Sequence, residues 1–293
     1  MTVPASLAPA GTHECKDRRV VVDVSSWATI APENGGRDER KVWLSPTPDA
    51  DREDWWLWKP LKRTDRDAWR TNDVSEVVAH RMAEAIGLPA ALCEYARKDG
   101  ERGAISQNIA PHTHLMAPGS TLVPPGDTYT VERIIEALDG LTGPPPHHTH
   151  LPAAEIFAGY LVLDAWIGNT DRHEENWATI EAPDGSAYIA PAYDHGSALG
   201  SGLTDVKRAS CDRQAWCARG RSTPFAKRSL VDLAAEAVSL TGAGWWADRV
   251  AAVHPPAWTG ILDEHGALSV VSHSFVSDVL TTNQERVSRA CRP

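Results

Sequence analysis

Asp171 and Asn176 stand five residues apart in the segment GNTDRHEENW, and Asp194 follows Asn176 by 18 positions in YDHG. A carboxylate that can take a proton from an attacking hydroxyl, with an amide and a second carboxylate as oxygen ligands for magnesium, is what phosphoryl transfer from ATP requires. An Asp-x-x-x-x-Asn loop followed across a short hairpin by an Asp-x-Gly turn supplies all three groups. Upstream, in the order such a site needs, come Lys59 in WLWKP and Glu76 in SEVVAHRMAEAIGLP. A strand lysine can hold nucleotide phosphates while a helix glutamate orients it. Each residue also has a plainer reading. Asp, Asn and Gly gather in turns, and NTD can cap a helix. Lys59 can be an edge charge, and Glu76, three residues after Asp73, has the spacing of a capping box. All five together, in this order, favour the chemical reading.

These residues need elements to hold them. Residues 18–24 (RRVVVDV) read as a short strand, and KVWLSP and WWLWKP as a hairpin or pair of sheet strands. TNDVSEVVAHRMAEAIGLP reads as a helix opened by Asp73 and Glu76 and closed by Gly87 and Pro89, with Val77, Met82, Ala85 and Ile86 on one buried stripe. ALCEYARKDGERGAISQNI reads as strand, Asp99-Gly100 turn, strand. VERIIEALDG is a short helix between Pro-, Gly- and His-rich segments at 111–127 and 140–152. PAAEIFAGYLVLDAWIG is apolar almost all round, as in a buried helix. WATIEAPDGSAYIAPAYDHG reads as a hairpin that returns Asp194 beside Asn176. Thr223-Pro224 is expected to start a helix over FAKRSLVDLAAEAVSLTG, with two more helices near 243–253 and 273–290. This predicts an α+β, two-lobed arrangement: a small β-rich lobe at 1–110, its first 17 residues a loose leader, and a larger helical lobe at 111–293, with a hinge near 105–112.

Composition bounds what such a chain can do. The 293 residues carry 39 acidic against 29 basic side chains, a net charge of −10, which argues against a broad nucleic-acid-binding surface. No apolar run reaches the length of a membrane helix, and MTVPASLAPAGTHECKDRR lacks a signal-peptide core, so a cytoplasmic location is the default. Twelve tryptophans against three phenylalanines imply that Trp fills the core. The five cysteines form no CxxC pair, and Cys211 and Cys217 have no recognisable base. His112, His114, His147, His148 and His150 sit in Pro-rich loops without Cys or Asp ligands nearby, so a metal site there is not expected.

WLWKP, SEVVAHRMAEAIGLP, IGNTDRHEENW and YDHG give the chain, over about 40–290, a resemblance to the HipA-like branch of the protein-kinase-like superfamily. The resemblance implies a kinase-like fold binding ATP and Mg2+ between the lobes. It implies Lys59 on ATP phosphate, Glu76 paired with it, Asp171 as catalytic carboxylate, and Asn176 and Asp194 on magnesium. Arg172 and His173, inside the loop, either contact a phosphate or orient Asp171, or else serve loop salt-bridging or packing. The implied activity is Ser/Thr protein kinase. The DRHxxN loop is also similar to that of phosphoinositide kinases, so a small-molecule or lipid kinase is the alternative, and a nucleotide-binding pseudokinase or scaffold a second. HipA toxins carry an extra N-terminal subdomain, whereas about 40 residues precede the first kinase-like strands here, so an antitoxin partner is not expected. No clean GxGxxG precedes Lys59; Gly35-Gly36 is the nearest candidate, with a surface turn as its other reading. No Ala-Pro-Glu motif follows YDHG. The basic stretch 206–222 reads as an acceptor-binding loop or a solvated one, with Lys207, Arg208, Arg213, Arg219 and Arg221 as contacts to an acidic acceptor.

Overall fold

The computed structural model describes residues 21–33, 40–64, 68–264, 266 and 268–292. The expected leader, the start of the 18–24 strand and Gly35-Gly36 lie outside the described residues. A six-stranded sheet leads the chain: β1 (Val22–Asp23), β2 (Ala28–Pro32), β3 (Val42–Ser45), β4 (Trp56–Pro60), then helix α1 (Asn72–Ala85), then β5 (Cys93–Lys98) and β6 (Glu101–Gln107). Its order is β1-β5-β6-β4-β3-β2, with β1 parallel to β5 and every other pair antiparallel. The β5–β6 turn carries Asp99 at φ 50° and Gly100 at φ 84°, the left-handed pair a two-residue hairpin needs.

Strand alternation decides which way Lys59 faces. Trp56 and Trp58 pack with Val24, Leu44 and Ile105 on one face of the sheet, while Leu57 and Lys59 line the cleft on the other. The Asn72 amide fastens the strand end to α1, donating to Pro60 O (3.1 Å) and accepting from Lys62 N (3.0 Å).

The remainder begins with β7 (Leu115–Pro118), α2 (Val131–Ala137) and α3 (Ala153–Ile167). The hairpin β8 (Ala178–Glu181) and β9 (Ala187–Ile189) joins β7 in a three-stranded sheet. Then come α4 (Asp205–Ser210), α5 (Arg213–Ala218), the strand pair β10 (Arg221–Ser222) and β11 (Arg228–Ser229), α6 (Leu230–Thr241), α7 (Trp245–Ala252), α8 (Pro256–Glu264) and α9 (Val270–Ala290). Helix α3 is the axis of this part, packed against α6 and α9 and ended by Gly168 at φ 67°. Trp166, Trp177, Trp246 and Trp258 are fully buried, so Trp does fill the core. Among the described residues no helix is long and apolar enough to cross a membrane.

Several local expectations are corrected. Thr71, not Asp73, precedes the first turn of α1, and Asp73 is committed to Arg102 at 2.9 Å, so there is no capping box. Ala85 is exposed, whereas Val77, Met82 and Ile86 are buried as expected. Thr223-Pro224 does not begin α6; Ser229 caps it, accepting from Asp232 N. The 206–222 stretch holds α4 and α5 instead of an open loop, and α8 intervenes where only two late helices were expected. Pro256 occupies the first position of α8, where its missing N–H costs no helical hydrogen bond.

Candidate active site

The cleft between the sheet and the helical part has a volume of about 1310 Å³ and is lined by Lys59, Asp171, His173, Asn176 and Asp194 among others. Four of the five core site residues are thus cleft-lining, and the fifth, Glu76, stands directly behind Lys59. Lys59 Nζ donates to Glu76 Oε1 at 2.8 Å and to Asp194 Oδ1 at 3.3 Å. Lys59 and Glu76 are 5% and 2% exposed, so this contact is a desolvated ion pair and not a surface one. Burial alone would lower the Lys59 pKa, but the charges of Asp194 and then Glu76 outweigh it and hold the ammonium protonated. The Lys59 charge holds Asp194 well below the usual carboxylate range, against the effect of burial. Glu76 is pushed up by burial, with Lys59 pulling the other way.

Asp194 occupies a left-handed backbone conformation, φ 57°, at a residue other than glycine. The turn is pinned from behind, where His195 N donates to Glu76 Oε2 at 3.1 Å. Gly196 lies so close that a Cβ there would sit 3.2 Å from Glu76 Oε1, which is the reason for glycine in YDHG. Glu76 therefore serves two strands of the site at once, one carboxylate oxygen on Lys59 and the other on the Asp194 turn.

The loop that carries Asp171 is held by Arg172, which is 1% exposed. Its Nε and Nη2 donate to the two oxygens of Asp164 on α3, each at 2.8 Å, a forked ion pair. Nη1 donates to Asn176 O at 2.6 Å and to Tyr193 O at 3.3 Å. Nη2 also lies 3.0 Å from His195 Nε2. Burial, then the Arg172 charge, drives the His195 pKa well below 6.5, so the ring is neutral and accepts from the guanidinium. One buried side chain thus ties α3, the Asp171–Asn176 loop and the Asp194 turn together, and it is the hairpin β8–β9 that brings the last two side by side. Of the two readings of Arg172, the packing one describes its contacts. His173 lines the cleft, and its Nδ1 accepts from Glu175 N at 3.2 Å.

Asp171 Oδ2 accepts from Ser197 Oγ at 3.2 Å, and Asp171 O accepts from Asn176 Nδ2 at 2.6 Å. With its nitrogen so engaged, the Asn176 amide keeps its oxygen as acceptor. An ionised Asp194 and an amide oxygen are hard donors of the kind magnesium takes, so the residues fit that ion. Among the described residues no group of three or more His, Cys, Asp or Glu side chains could hold a metal ion, so magnesium here would complete its shell with phosphate oxygens and water. The histidine-rich loops likewise assemble no such group. Cys217 is buried with its pKa pushed up to about 11, the opposite of an activated thiolate.

Sequence reasoning missed three contributors. Asp164 was detectable as the one carboxylate in the apolar run of α3 beyond its first turn, where Glu155 stands. Ser197 carries no signal beyond its closeness to YDHG. Lys41, whose Nζ lies 3.2 Å from Glu33 and 4.0 Å from Asp194, was hidden because only the pairing of β3 with β4 sets it beside Lys59. None of Lys207, Arg208, Arg213, Arg219 or Arg221 lines the cleft, whereas Thr223 and Pro224 do, as do Arg40, Lys41, Arg52 and Lys62 from the sheet side.

Comparison with known proteins follows the geometry. The family described as HipA-like C-terminal domain matches residues 34–245. The crystal structure of the Helicobacter pylori proinflammatory kinase CtkA superposes with a TM-score of 0.70 at 15% identity, covering 93% of this chain and 97% of that one. The Shewanella oneidensis MR-1 HipA in complex with HipB and operator DNA gives a TM-score of 0.48 at 12% identity, over 80% of this chain and 58% of that one. No curated protein sequence matches the chain.

Proposed function

The chain belongs to the family of HipA-like C-terminal domains, and from that premise we propose that it is an ATP- and magnesium-dependent kinase that transfers the γ-phosphoryl group to a hydroxyl of a polypeptide. The observation that carries the reading is the buried Lys59–Glu76 pair at 2.8 Å, with Asp194 at 3.3 Å from the same ammonium. A buried lysine held protonated by two carboxylates and lining a cleft is the kind of perturbed charged group that gathers at functional sites. An incoming polyphosphate would take the Lys59 contact that Asp194 now shares.

In this reading residues 1–110 form the nucleotide-binding lobe and 111–293 the catalytic lobe. Lys59 contacts phosphate, Glu76 orients Lys59, and Asn176 and Asp194 hold magnesium. Bound there, magnesium neutralises charge on the phosphates. Asp171 accepts the proton of the acceptor hydroxyl as that oxygen bonds to the γ-phosphorus and the bond from phosphorus to the β–γ bridging oxygen breaks, leaving ADP. Ser197 and the Asn169 amide orient Asp171, the latter through Asn169 Oδ1 accepting from Asp171 N at 3.3 Å. The cleft, at about 1310 Å³ against the roughly 300–1,000 Å³ of ordinary small-ligand pockets, leaves room beside a nucleotide for an acceptor group, and a polypeptide acceptor is the reading the HipA-like family relation favours. The test is transfer from γ-labelled ATP: label in protein bands supports the proposal, whereas label confined to metabolites or lipids replaces it with the small-molecule reading.

A further inference from the structure

The arginines of the 206–222 stretch divide into two sets. Arg208 is buried and committed to Asp205 (3.1 Å), Ser272 (2.8 Å) and Thr71 (2.9 Å). Arg213 is committed to Cys211 O (2.6 Å) and lies 3.4 Å from Asp278. Arg219 and Arg221 are exposed, and among the described residues their guanidinium groups enter no ion pair. Both line a second cavity of about 280 Å³, and Arg286 from α9 joins them there. Arg286 is held ready, donating to Cys217 O at 2.7 Å and Asn283 Oδ1 at 2.9 Å. No Asp or Glu is among the residues that line this cavity; Trp216 and Leu230 form apolar wall.

Three arginines on the wall of one cavity, with no carboxylate among its lining residues, make a receptor for a compact, doubly charged oxyanion. The volume admits one side chain and excludes a nucleotide. Position adds a second constraint. Thr170, the neighbour of Asp171, lines this cavity, and its carbonyl accepts from Thr223 N (3.4 Å) and Ser222 Oγ (3.5 Å). Arg221 faces this cavity while Thr223, two positions on, lines the catalytic cleft. Two residues of extended chain span roughly 7 Å. An acceptor chain crossing Thr223 with its hydroxyl at Asp171 therefore sets a side chain only a few positions away over the arginines.

We infer that the Arg219–Arg221–Arg286 cavity binds a phosphorylated side chain of the polypeptide acceptor, so that this kinase selects substrates already phosphorylated near the accepting hydroxyl. The inference rests on the polypeptide-acceptor reading, and its test is a binding measurement that needs no transfer. A short alanine-flanked peptide bearing one phosphoserine is titrated into the nucleotide-free protein by calorimetry, beside its unphosphorylated and aspartate counterparts and inorganic phosphate. The phosphopeptide should bind at least about tenfold more tightly than the unphosphorylated peptide, the free-energy difference of a single charge-assisted contact. The Arg219→Gln/Arg221→Gln variant should lose that preference while keeping its thermal midpoint and its Mg-ATP response. Arg221→Lys, which keeps the charge and loses the fork, should fall between the two. A phosphopeptide preference absent from the wild type, or surviving in the double variant, overturns the site. Aspartate binding as well as phosphoserine overturns the phosphoryl assignment, and inorganic phosphate binding where the phosphopeptide does not overturns the polypeptide. Loss of the Mg-ATP response in the wild type strikes the kinase reading instead, and so is told apart.

Discussion

Replacing Arg172 by Met keeps most of its volume and deletes its charge. Asp164, itself about 1% exposed, would keep only the Asn169 amide at 2.8 Å as a partner. Breaking a buried pair by removing one member costs about 3–5 kcal/mol, because the other charge stays desolvated. Against a total stability of about 5–15 kcal/mol this is a large share, and at about 2–4 °C per kcal/mol it lowers the midpoint by roughly 6–20 °C. Asp164→Leu alone strands the guanidinium, although Asn176 O, Tyr193 O and His195 still accept from it, so its cost falls at or below the lower end of that range. The double variant Asp164→Leu/Arg172→Met removes both charges and should be more stable than Arg172→Met, because the desolvation penalties vanish together. It should not regain turnover. The Arg172 bonds to Asn176 O at 2.6 Å and Tyr193 O at 3.3 Å are what align the Asn176 and Asp194 segments, and no apolar side chain replaces them. Urea unfolding of the four proteins, with label transfer measured in parallel, reads both quantities. Arg172→Met within about 1 kcal/mol of wild type would refute the ion-pair argument. A double variant with full turnover would refute the alignment argument.

Mg-ATP at a hundredfold excess over its Kd should stabilise the wild type by about 2.7 kcal/mol. Asp194→Ala should abolish that shift in a thermal scan, whereas Asp171→Ala should keep it and lose turnover. Equal shifts in wild type and both variants, with turnover intact, would contradict both assignments. Gly196→Ala places a Cβ 3.2 Å from Glu76 Oε1 and should cost about 1–3 kcal/mol together with ATP affinity; calorimetry on the variant checks it. His195 is neutral in the fold with a pKa depressed below 6.5, so below that pH the unfolded chain binds a proton that the folded one refuses. Stability then rises with pH and is lost as pH falls below 6.5, by up to about 1.4 kcal/mol per pH unit from this group. His195→Asn keeps an acceptor for Arg172 and should flatten the slope; an unchanged slope in pH-dependent urea unfolding defeats the assignment.

Much of this was readable because the chemistry is compressed into short segments. Asp171, Asn176 and Asp194 lie within one loop and one hairpin, so local pattern alone brings them together. Lys59 follows from strand alternation once WLWKP is a strand. The capping box failed because Asp73 and Glu76, spaced for each other, found stronger partners across the sheet in Arg102 and Lys59. Spacing reports what a residue can do locally, and long-range charge overrode it. The basic stretch 206–222 is legible only in part: sequence counts its cations, while only packing shows that Arg208 and Arg213 are committed elsewhere and that Arg286, 65 positions beyond Arg221, lines the same cavity as Arg219 and Arg221.

The backbone around the Asp194 turn is clamped from both sides. Ala91 N donates to Ala192 O (2.8 Å) and Ala192 N to Pro89 O (2.9 Å), joining it to the sheet side, while Arg172 grips Tyr193 O from the helical side. The two parts of the molecule are therefore joined at one point by backbone hydrogen bonds across the isolated bridge between Ala90 and Ala192. Amide deuteration should show it: the Ala91, Ala192 and His195 protons belong to the slowest-exchanging set, released only when the whole molecule opens. Motion of one part against the other that keeps these bonds must then pivot on this junction.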